Sequence, residues 1–425
     1  MSAQAAMKTS VAGATASKHF CRFCESELTQ QVVDLGMQPL CESYVAREAL
    51  DSMEPTYPVK AYVCSSCYLV QVLDFVSGEE IYSHYAYFSS FSESWLKHVD
   101  DYVGNMVERF GIDANSQVIE IASNDGYLLQ YVKARGIPAL GIEPAENIAE
   151  YARSKGIETI ARFFGSECAR DLTEEGRKAN LLIANNVFGH VPDINDFVAG
   201  MKIALADDGV LTVEIPHVAK TIKGNQFDQF YQEHFSYYSL LSAQKIFEAH
   251  DLIVFDVDEL PTHGGSLRYY VKHADCQTHK VSNSVDRVKS QEIADGFDQM
   301  QTYQAFSDRA KEIKRALLEF LIDKKRAGES VVGYGAPGKG GTLLNYCGIR
   351  EDFLDYTVDR SDFKQGKFMP GSHIPIHSPD VIAKTRPDYI LILPWNLREE
   401  ITDQLAYVRE WGCKFVVPIP HLDVF

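Results

Sequence analysis

The chain has 425 residues, of which 45% are hydrophobic and 24% charged, enough for two or three domains with buried cores. Its formal charge of -18 opposes binding to phosphate backbones and anionic lipids, so nucleic acid is not an expected partner. No apolar run approaches the roughly 18 residues of a membrane span. Residues 1–17 lack the apolar core of a secretory signal, which predicts a disordered leader and a cytoplasmic protein.

Two Cys-x-x-Cys pairs lie within residues 18–75, namely Cys21 with Cys24 and Cys64 with Cys67. The pairs are farther apart than usual zinc knuckles, but each short gap lets two thiolates reach one ion. Four thiolates complete a tetrahedral shell and leave no place for a substrate, which predicts structural Zn²⁺. A redox-active pair is the alternative, and Cys41 between the pairs is interpreted as an ordinary buried thiol.

Residues 76–285 are predicted to form one domain, in which strand and helix patterns alternate from Ser116 onward, as in a parallel sheet with helices on both faces. The strands are predicted at residues 118–122, 139–142, 181–184, 210–215, 252–258 and 266–272. The last two flank a turn-rich loop and predict an antiparallel hairpin that closes the parallel sheet. This closing hairpin resembles class I methyltransferases, whereas nicotinamide dehydrogenases usually lack it.

The turn after the first of these strands, Glu-Ile-Ala-Ser-Asn-Asp-Gly, has one glycine and is a poor cradle for a pyrophosphate. S-adenosylmethionine fits better, since acids and amides at strand ends can accept from its hydroxyls and favour its positive charge. Helix capping by Glu143 and core packing by the two phenylalanines are the alternatives. The predicted cofactor-binding residues are Glu120, Ala122, Asn124, Asp125, Gly126, Glu143, Pro144, Phe163, Phe164, Asn185 and Asn186.

The segment from 227 to 238 carries the catalytic candidates Tyr231, Glu233 and His234, after a strand and therefore on the ligand side of the sheet. A histidine can remove a proton, and an adjacent acid or phenol can orient it or stabilise the charge that develops. His190 is placed similarly after another strand. An aromatic interdomain segment with structural histidines is the alternative.

Residues 286–327 are polar and periodic and predict a long connecting helix, followed by an α/β domain over residues 328–425. The glycines of Gly-Tyr-Gly-Ala-Pro-Gly-Lys match the GxGxxG pattern, and Asp359 lies 21 residues beyond the last of them. This is compatible with NAD. A glycine turn, amides at a helix start and Lys339 would equally seat a diphosphate, and a purely structural turn is the third interpretation.

Taken together, these motifs resemble the zinc-containing sugar-nucleotide C-methyltransferases, from about Cys21 to Pro420. The motifs are the two Cys-x-x-Cys pairs, Tyr-Ala-Tyr-Phe-Ser-Ser, Glu-Ile-Ala-Ser-Asn-Asp-Gly, Asn-Asn-Val-x-x-His-Val, Tyr-x-Glu-His-Phe-Ser-Tyr and Gly-Tyr-Gly-Ala-x-x-Lys-Gly. Known members methylate carbon 3 of TDP-linked 4-keto deoxysugars. The resemblance implies an α/β protein with a zinc module, a Rossmann-like class I methyltransferase core and a C-terminal Rossmann-like domain that helps hold the sugar nucleotide.

By this resemblance the cofactors are S-adenosylmethionine and structural Zn²⁺, and the substrate is a nucleotide-linked keto-deoxysugar. His234 would be the base beside Glu233, and Tyr85, Tyr231 and His190 would line the reacting sugar. Gln232 departs from the family's usual Tyr-His-Glu-His. The substrate-binding residues would be Tyr87, Tyr237, Gly335, Ala336, Lys339, Gly340, Asn345 and Asp359.

Two other functions stay open at this point. One is an NAD-dependent sugar-nucleotide oxidoreductase or epimerase that uses the loop beginning at Gly333, and the other is a non-catalytic adaptor built on the zinc module. The sequence does not specify an oligomeric state, and a monomer is compatible with it.

Overall fold

The computed structural model describes residues 18–76, 89–91 and 93–425, which contain three β-sheets. The predicted leader lies outside these residues. The strands are β1 (Gln30–Gln38), β2 (Tyr57–Val63), β3 (Val70–Val72), β4 (Val118–Ile121), β5 (Ala139–Ile142), β6 (Thr159–Ile160), β7 (Ala179–Asn185), β8 (Leu205–Pro216), β9 (Ser236–Tyr237), β10 (Leu252–Leu260), β11 (Ser266–His273), β12 (Val331–Tyr334), β13 (Thr357–Val358), β14 (Ile376–His377), β15 (Tyr389–Ile392), β16 (Lys414–Val417) and β17 (Asp423–Val424).

The helices pack around these sheets, and in the described part of the chain none is long and apolar enough to cross a membrane. They are α1 (Glu93–Phe110), α2 (Leu129–Ala134), α3 (Glu146–Ser154), α4 (Ser166–Glu174), α5 (Ile194–Ala204), α6 (Val218–Lys223), α7 (Leu240–Glu248), α8 (Asn283–Ala294), α9 (Met300–Gln304), α10 (Phe306–Ala327), α11 (Gly338–Cys347), α12 (Val381–Thr385) and α13 (Arg398–Gln404).

The middle sheet has the order β10-β11-β8-β7-β4-β5-β6. Strands β4 to β8 are parallel, and β11 enters antiparallel between β8 and β10. Strand β4 is buried at all four positions, as expected for a parallel strand covered on both faces. The predicted parallel sheet with a closing hairpin is confirmed, and the carboxyl ends of β4, β5, β7 and β8 meet at one edge.

The N-terminal sheet is antiparallel and takes its last strand from the middle of the chain. Its order is β1-β2-β3-β9, with Val70 opposite Tyr237 and Gln71 opposite Ser236. The amide of Val72 also donates to the carbonyl of Phe235 at 3.0 Å. The segment that contains the catalytic candidates is therefore part of the N-terminal sheet. The boundaries predicted for the separate domains stay predictions.

The C-terminal sheet has the order β14-β13-β12-β15-β16-β17, parallel except for the last strand. Its buried residues share one continuous apolar core with the N-terminal sheet, in which Val59 and Ile390 both take part. Phe227 and Phe230, which precede the catalytic candidates, are fully buried in that same core. The segment is thus anchored by apolar burial on one side and by strand pairing on the other.

The connecting region differs from the single helix predicted over residues 286–327. It consists of α8, α9 and α10, with breaks after Ala294 and at Ala305. Gly296 follows α8 with φ +82°, a left-handed conformation that ends a helix and suits glycine. The hydroxyl of Tyr303 donates to the carbonyl of Phe297 at 2.8 Å and fixes the turn that follows. The periodic polar pattern did not reveal this local turn.

Gly126 ends the turn after β4 in a conformation that a side chain would strain. Its φ is +78°, and a Cβ there would lie 2.9 Å from Cγ1 of Ile157. Gly136 has a similar φ of +72°, but a Cβ at that position would have no described atom within 4 Å. The two glycines therefore separate the cost of the backbone conformation from the cost of the overlap.

We expect Gly126→Ala to lower the free energy of unfolding by about 2–4 kcal/mol, since the left-handed conformation costs about 1 kcal/mol and overpacking adds about 1–3. Gly136→Ala should cost only the first of these. Urea unfolding of both variants measures the difference. Equal losses in the two variants would contradict the assigned overlap with Ile157.

Candidate active site

A cavity of about 850 Å³ lies at the carboxyl edge of the middle sheet, where it meets the segment 229–237 and the start of α11. Eight of the predicted cofactor-binding residues line it, namely Ala122, Asn124, Glu143, Pro144, Phe163, Phe164, Asn185 and Asn186. The same cavity is also lined by the predicted residues His190, Tyr231, Glu233, His234, Tyr237 and Lys339. One continuous space therefore joins the two groups of candidates.

Glu143 is the acid at the end of β5 and is held by two backbone amides. Its Oε2 accepts from the amide of Asn124 and its Oε1 from the amide of Ala145, both at 3.0 Å. Burial raises the pKa of Glu143 to about 7, although these hydrogen bonds oppose the rise. Each carboxylate oxygen keeps a second lone pair, so ribose hydroxyls can still donate to it.

The turns at this edge contain residues in a strained backbone conformation and a buried side-chain amide without a hydrogen-bond partner among the described residues. Ala122 and Asn186 have φ of +53°, a conformation that costs a non-glycine residue free energy and is often found at functional sites. Within the described part of the chain, neither side-chain amide atom of Asn185 has a hydrogen-bond partner, although both are buried. A buried amide without partners is costly. This donor and acceptor pair fits a polar ligand such as S-adenosylmethionine.

Three predicted cofactor residues lie behind the cavity and do not line it. Glu120 is buried, which raises its pKa well above the usual range, while a hydrogen bond from Tyr127 opposes the rise. Asp125 accepts from the amide of Ser90 at 3.1 Å, and Gly126 lies against Ile157. These contacts shape the turn that supports the cavity wall.

His234 is held by partners at both ring nitrogens. Nδ1 lies 3.3 Å from the carbonyl oxygen of Gln229, which can only accept, so Nδ1 carries the hydrogen. Nε2 then bears a lone pair and accepts from the hydroxyl of Tyr231 at 2.8 Å. Burial lowers the pKa of His234 well below its usual value, and the neighbouring His190 lowers it further. The imidazole is therefore neutral at physiological pH, with its basic nitrogen directed at Tyr231.

His190 lies edge-on to His234, with ring centroids 4.6 Å apart and planes at 90°. Burial lowers the pKa of His190 to about 4, so this ring is also neutral. Burial raises the pKa of Tyr231 well above its usual value and keeps the phenol protonated. The cluster thus offers two neutral imidazoles and one phenol donor.

Lys339, at the start of α11, is half-buried and lines the cavity. Its ammonium contacts Oδ1 of Asn396 and lies 4.6 Å from the ring centroid of Trp395. Burial lowers the pKa of Lys339 to about 8, and the nearby Asp228 opposes this. The indole of Trp395 donates to Oδ2 of Asp228 at 2.7 Å. Helix α11 therefore contributes one cation to the cavity.

Two backbone amides of the loop before α11 bind carboxylates of the protein itself. The amide of Ala336 donates to Oδ2 of Asp359 at 2.7 Å, and the amide of Gly338 donates to Oε1 of Glu42 at 3.1 Å. These amides are not available to a diphosphate in this structure, and the same occupancy opposes dinucleotide binding by the GxGxxG turn.

The remaining predicted substrate residues are placed as follows. Gly335, Ala336, Gly340, Asn345 and Asp359 are not in the cavity lining. Asn345 donates to the carbonyl of Pro370 at 3.1 Å, which ties α11 to its own domain. Tyr85 and Tyr87 lie outside the described residues.

Several lining residues were not predicted to be functional, among them Cys41, Glu42, Trp95 and His263. Cys41 is buried as predicted, but the interpretation of an ordinary thiol is incomplete, because its Sγ lies 3.2 Å from Oε1 of Glu233. The signal for His263 was the Pro-Thr-His-Gly-Gly turn, in which this histidine takes φ +54°. Cys41 and Glu42 gave no local signal.

The four predicted metal ligands Cys21, Cys24, Cys64 and Cys67 converge, with all four sulfur atoms within 4.8 Å of one another. Cys21 and Cys67 have their Sγ atoms 3.6 Å apart, and Cys24 and Cys64 have theirs 3.5 Å apart. A tetrahedral zinc site with Zn–S distances near 2.3 Å has sulfur atoms about 3.8 Å apart. All four cysteines are free thiols, so the geometry fits zinc and not a disulfide.

Comparison with known proteins agrees with this geometry. Residues 21–82 match a family model for a zinc binding domain, residues 95–256 one for a methyltransferase domain, and residues 261–420 one for a C-methyltransferase C-terminal domain. The C-methyltransferase NovU of Streptomyces niveus is 35% identical over 401 residues, which cover 94% of this chain and 95% of that protein.

The chain belongs to this family of C-methyltransferases. It is an S-adenosylmethionine-dependent methyltransferase with a class I Rossmann-like core and a zinc-binding domain, which confirms the predicted fold and cofactors. This result replaces the oxidoreductase and adaptor alternatives.

Two solved methyltransferases also resemble part of the chain. One is magnesium protoporphyrin IX methyltransferase of Synechocystis PCC 6803 with bound SAM, with 14% identity and a TM-score of 0.32 over 42% of this chain and 79% of its own. The other is an S-adenosylmethionine-dependent methyltransferase of Clostridium acetobutylicum, with 11% identity and a TM-score of 0.33 over 42% of this chain and 92% of its own.

Loss of zinc should destabilise the methyltransferase as a whole. Cys67 lies three residues before β3, which pairs with β9 beside the catalytic candidates. We expect Cys24→Ala to abolish zinc retention and to lower the free energy of unfolding by more than about 3 kcal/mol. Metal analysis and thermal melting measure both effects. The control Cys168→Ala removes a buried cysteine outside the cluster and should keep its zinc; full zinc retention by Cys24→Ala would contradict the assignment.

Asn185 and Asn180 provide a matched pair for the cofactor end. Asn180 Oδ1 accepts from the amide of Gln117 at 2.8 Å, whereas the amide of Asn185 has no partner among the described residues. We expect Asn185→Ala to weaken binding of S-adenosylhomocysteine by roughly tenfold with little loss of stability. Asn180→Ala should lower the free energy of unfolding and leave the affinity for S-adenosylhomocysteine unchanged. Calorimetric titration and urea unfolding report the two quantities. Unchanged affinity in Asn185→Ala would remove this amide from the cofactor site.

Proposed function

We propose that this enzyme transfers a methyl group to carbon 3 of a nucleotide-linked 4-keto-deoxysugar, with TDP as the nucleotide. The observation that carries the proposal is the neutral His234, with its basic nitrogen 2.8 Å from the Tyr231 hydroxyl, in a cavity continuous with the cofactor residues. Methylation of carbon needs a carbon nucleophile. A base beside the electrophile supplies one when the substrate has an acidic C–H next to a ketone.

The chain's residues have the following proposed roles. His234 removes the proton from the carbon next to the ketone, and its Nε2 receives that proton. The Tyr231 hydroxyl, which burial keeps protonated, would turn from Nε2 of His234 to the bound substrate. This frees the basic nitrogen and lets the phenol donate to the enolate oxygen that forms. The rings of His190 and Tyr237 lie against His234 and enclose this space. Glu233 precedes His234 in the chain and lines the same cavity, and when ionised it would stabilise the positive charge that develops on His234.

The cofactor supplies an electrophilic methyl group when bound. Glu143 would accept from its ribose hydroxyls, Asn185 would bond its polar groups, and Phe163 and Phe164 would border its adenine. Glu120, Asp125 and Gly126 do not line the cavity and would contribute indirectly, by fixing the conformation of the turn after β4. Closure of the zinc site by four thiolates leaves that ion a structural role.

Lys339 would attract an anionic part of the substrate, since it is the cation that α11 directs into the cavity. The amides of Ala336 and Gly338 would require displacement of Asp359 and Glu42 before they could bind a phosphate. The reduced thiols of the zinc site favour a cytoplasmic enzyme, and the net charge of -18 opposes nucleic acid as a partner.

Exchange of the substrate proton separates deprotonation from methyl transfer. With S-adenosylhomocysteine in place of the methyl donor, the wild-type enzyme should exchange the carbon 3 proton of a TDP-4-keto-deoxysugar for deuterium. His234→Ala should slow this exchange at least about 100-fold, because the base is removed, while cofactor affinity is kept. Proton NMR in deuterated water measures the exchange.

His250→Ala is the control, since His250 is bonded to the carbonyl of Ile246 on α7 and is not in the cavity lining. It should exchange at the wild-type rate. Near-normal exchange by His234→Ala would remove this residue from the base role, while normal exchange at another carbon would correct the methylated position.

The rate should also depend on the ionisation of Glu233. Burial and the negative charge of Glu42 together raise the pKa of Glu233 to about 7, although the hydrogen bond from Cys41 opposes the rise. Because the ionised carboxylate stabilises the charged imidazole, kcat should fall as the pH drops through about 7. Saturating S-adenosylmethionine removes the contribution of Glu143. In Glu233→Gln this acid limb should be absent at a lower plateau rate; an unchanged limb would assign it to another group.

A further inference from the structure

The segment after β1 extends from the N-terminal sheet into the catalytic cavity. Cys41 is buried in the cavity lining, and its Sγ lies 3.2 Å from Oε1 of Glu233, a residue 192 positions later in the chain. The thiol thus reaches the Glu233 carboxylate from outside the methyltransferase sheet.

The direction of this hydrogen bond follows from the charges around it. Burial raises the pKa of the Cys41 thiol well above its usual value, and the negative charges of Glu233 and Glu42 raise it further. The thiol therefore keeps its proton, and a carboxylate oxygen can only accept it. A hydrogen bond to an ionised acceptor is stronger than one between neutral groups.

Close packing fixes Cys41 on its far side. A Cβ on Gly338 would lie 3.0 Å from Cys41 Sγ, so the thiol occupies space that a side chain at position 338 would otherwise fill. The hydroxyl of Tyr44 donates to the carbonyl of Ala336 at 2.6 Å, which ties the same segment to the loop before α11. On the near side, Nε2 of Gln232 donates to the carbonyl of Gln38 at 2.9 Å.

We propose that Cys41 is a positioning residue for the reaction, which holds the Glu233 carboxylate in place through its S–H donor. This inference rests on the role proposed above for Glu233 and His234. No bond to sulfur forms or breaks, and the thiol stays protonated throughout.

The arrangement of charges explains why a donor is needed at this point. Glu42 lies next to Cys41 in sequence, lines the same cavity and repels the Glu233 carboxylate. The His190 ring is bonded to the backbone of Glu233 and so fixes its peptide but not its carboxylate. With the S–H donor removed, Glu233 would protonate more readily and would turn away from Glu42, and the charge on His234 would lose a stabilising partner.

A double-mutant cycle tests the inference in the full-length zinc enzyme. Cys41→Ala should lower kcat roughly tenfold and move the acid limb to higher pH, because loss of the donor destabilises the ionised carboxylate. Cys41→Ser retains a donor and should keep most of the activity, and the control Cys168→Ala should match the wild type. In a Glu233→Gln background, Cys41→Ala should have little further effect.

If Cys41→Ala lowered kcat by the same factor in the wild-type enzyme and in Glu233→Gln, the positioning role would be overturned. Cys41 would then contribute only by packing. An unshifted acid limb in Cys41→Ala would do the same. Full activity of Glu233→Gln would instead show that Glu233 does not stabilise the charged His234. The role proposed for Glu233 in the reaction would then be wrong.

An infrared measurement does not depend on the substrate or on turnover. The S–H stretching band that is missing from the Cys41→Ala spectrum identifies this thiol. That band should move to higher frequency in Glu233→Gln, where the acceptor is neutral and the hydrogen bond weaker. If the Cys41 band had the same frequency in the wild-type enzyme and in Glu233→Gln, Cys41 would not donate to Glu233, whatever the kinetics showed.

Discussion

The pairing of β3 with β9 is the interaction on which the active site depends. It joins the strand that follows the second zinc-binding pair to Ser236 and Tyr237, only two and three residues after His234. The backbone hydrogen bonds of this ladder fix the catalytic segment to a sheet that zinc stabilises. The buried Phe227 and Phe230 anchor the other end of the segment in the core shared with the C-terminal sheet. Both ends of a short loop are thus held, so its polar side chains are positioned before the substrate binds.

Burial decides the protonation states in this site. Two imidazoles remain neutral and one phenol remains protonated, because burial disfavours the charged form of each group. The pKa values of Glu143 and Glu233 are both raised to about 7, one among backbone amides and the other beside the Cys41 thiol. Such shifts, found for two acids that line the same cavity, are typical of functional sites.

The sequence was sufficient for the parts that depend on local pattern. Alternating strands and helices gave the parallel sheet and its closing hairpin, and the spacing of Cys21, Cys24, Cys64 and Cys67 gave the zinc cluster. Polar residues at the ends of parallel strands met as expected, since those ends share one edge. The cavity residues in the segment from Tyr231 to Tyr237 follow from the same rule.

The parts that were missed depend on contacts between distant segments. No local pattern places Cys41 against Glu233. That contact requires the segment after β1, the start of α11 and residues 227–238 to meet. The GxGxxG turn suggested amides open to phosphate, but Asp359 and Glu42 bind two of them, and Glu42 comes from the other end of the chain. The single long helix predicted over residues 286–327 is broken at Gly296, where the left-handed glycine and the local hydrogen bond from Tyr303 to Phe297 form a turn.

The position of a transferred label would show whether the sugar is methylated on carbon. The enzyme would be incubated with TDP-4-keto-deoxysugar and S-adenosylmethionine labelled with ¹³C at its methyl group, and the product analysed by carbon–proton NMR. We expect a ¹³C methyl group bound to carbon 3, with loss of the proton originally on that carbon. A label bound to oxygen, or no transfer to any nucleotide-linked keto sugar, would contradict the proposed reaction.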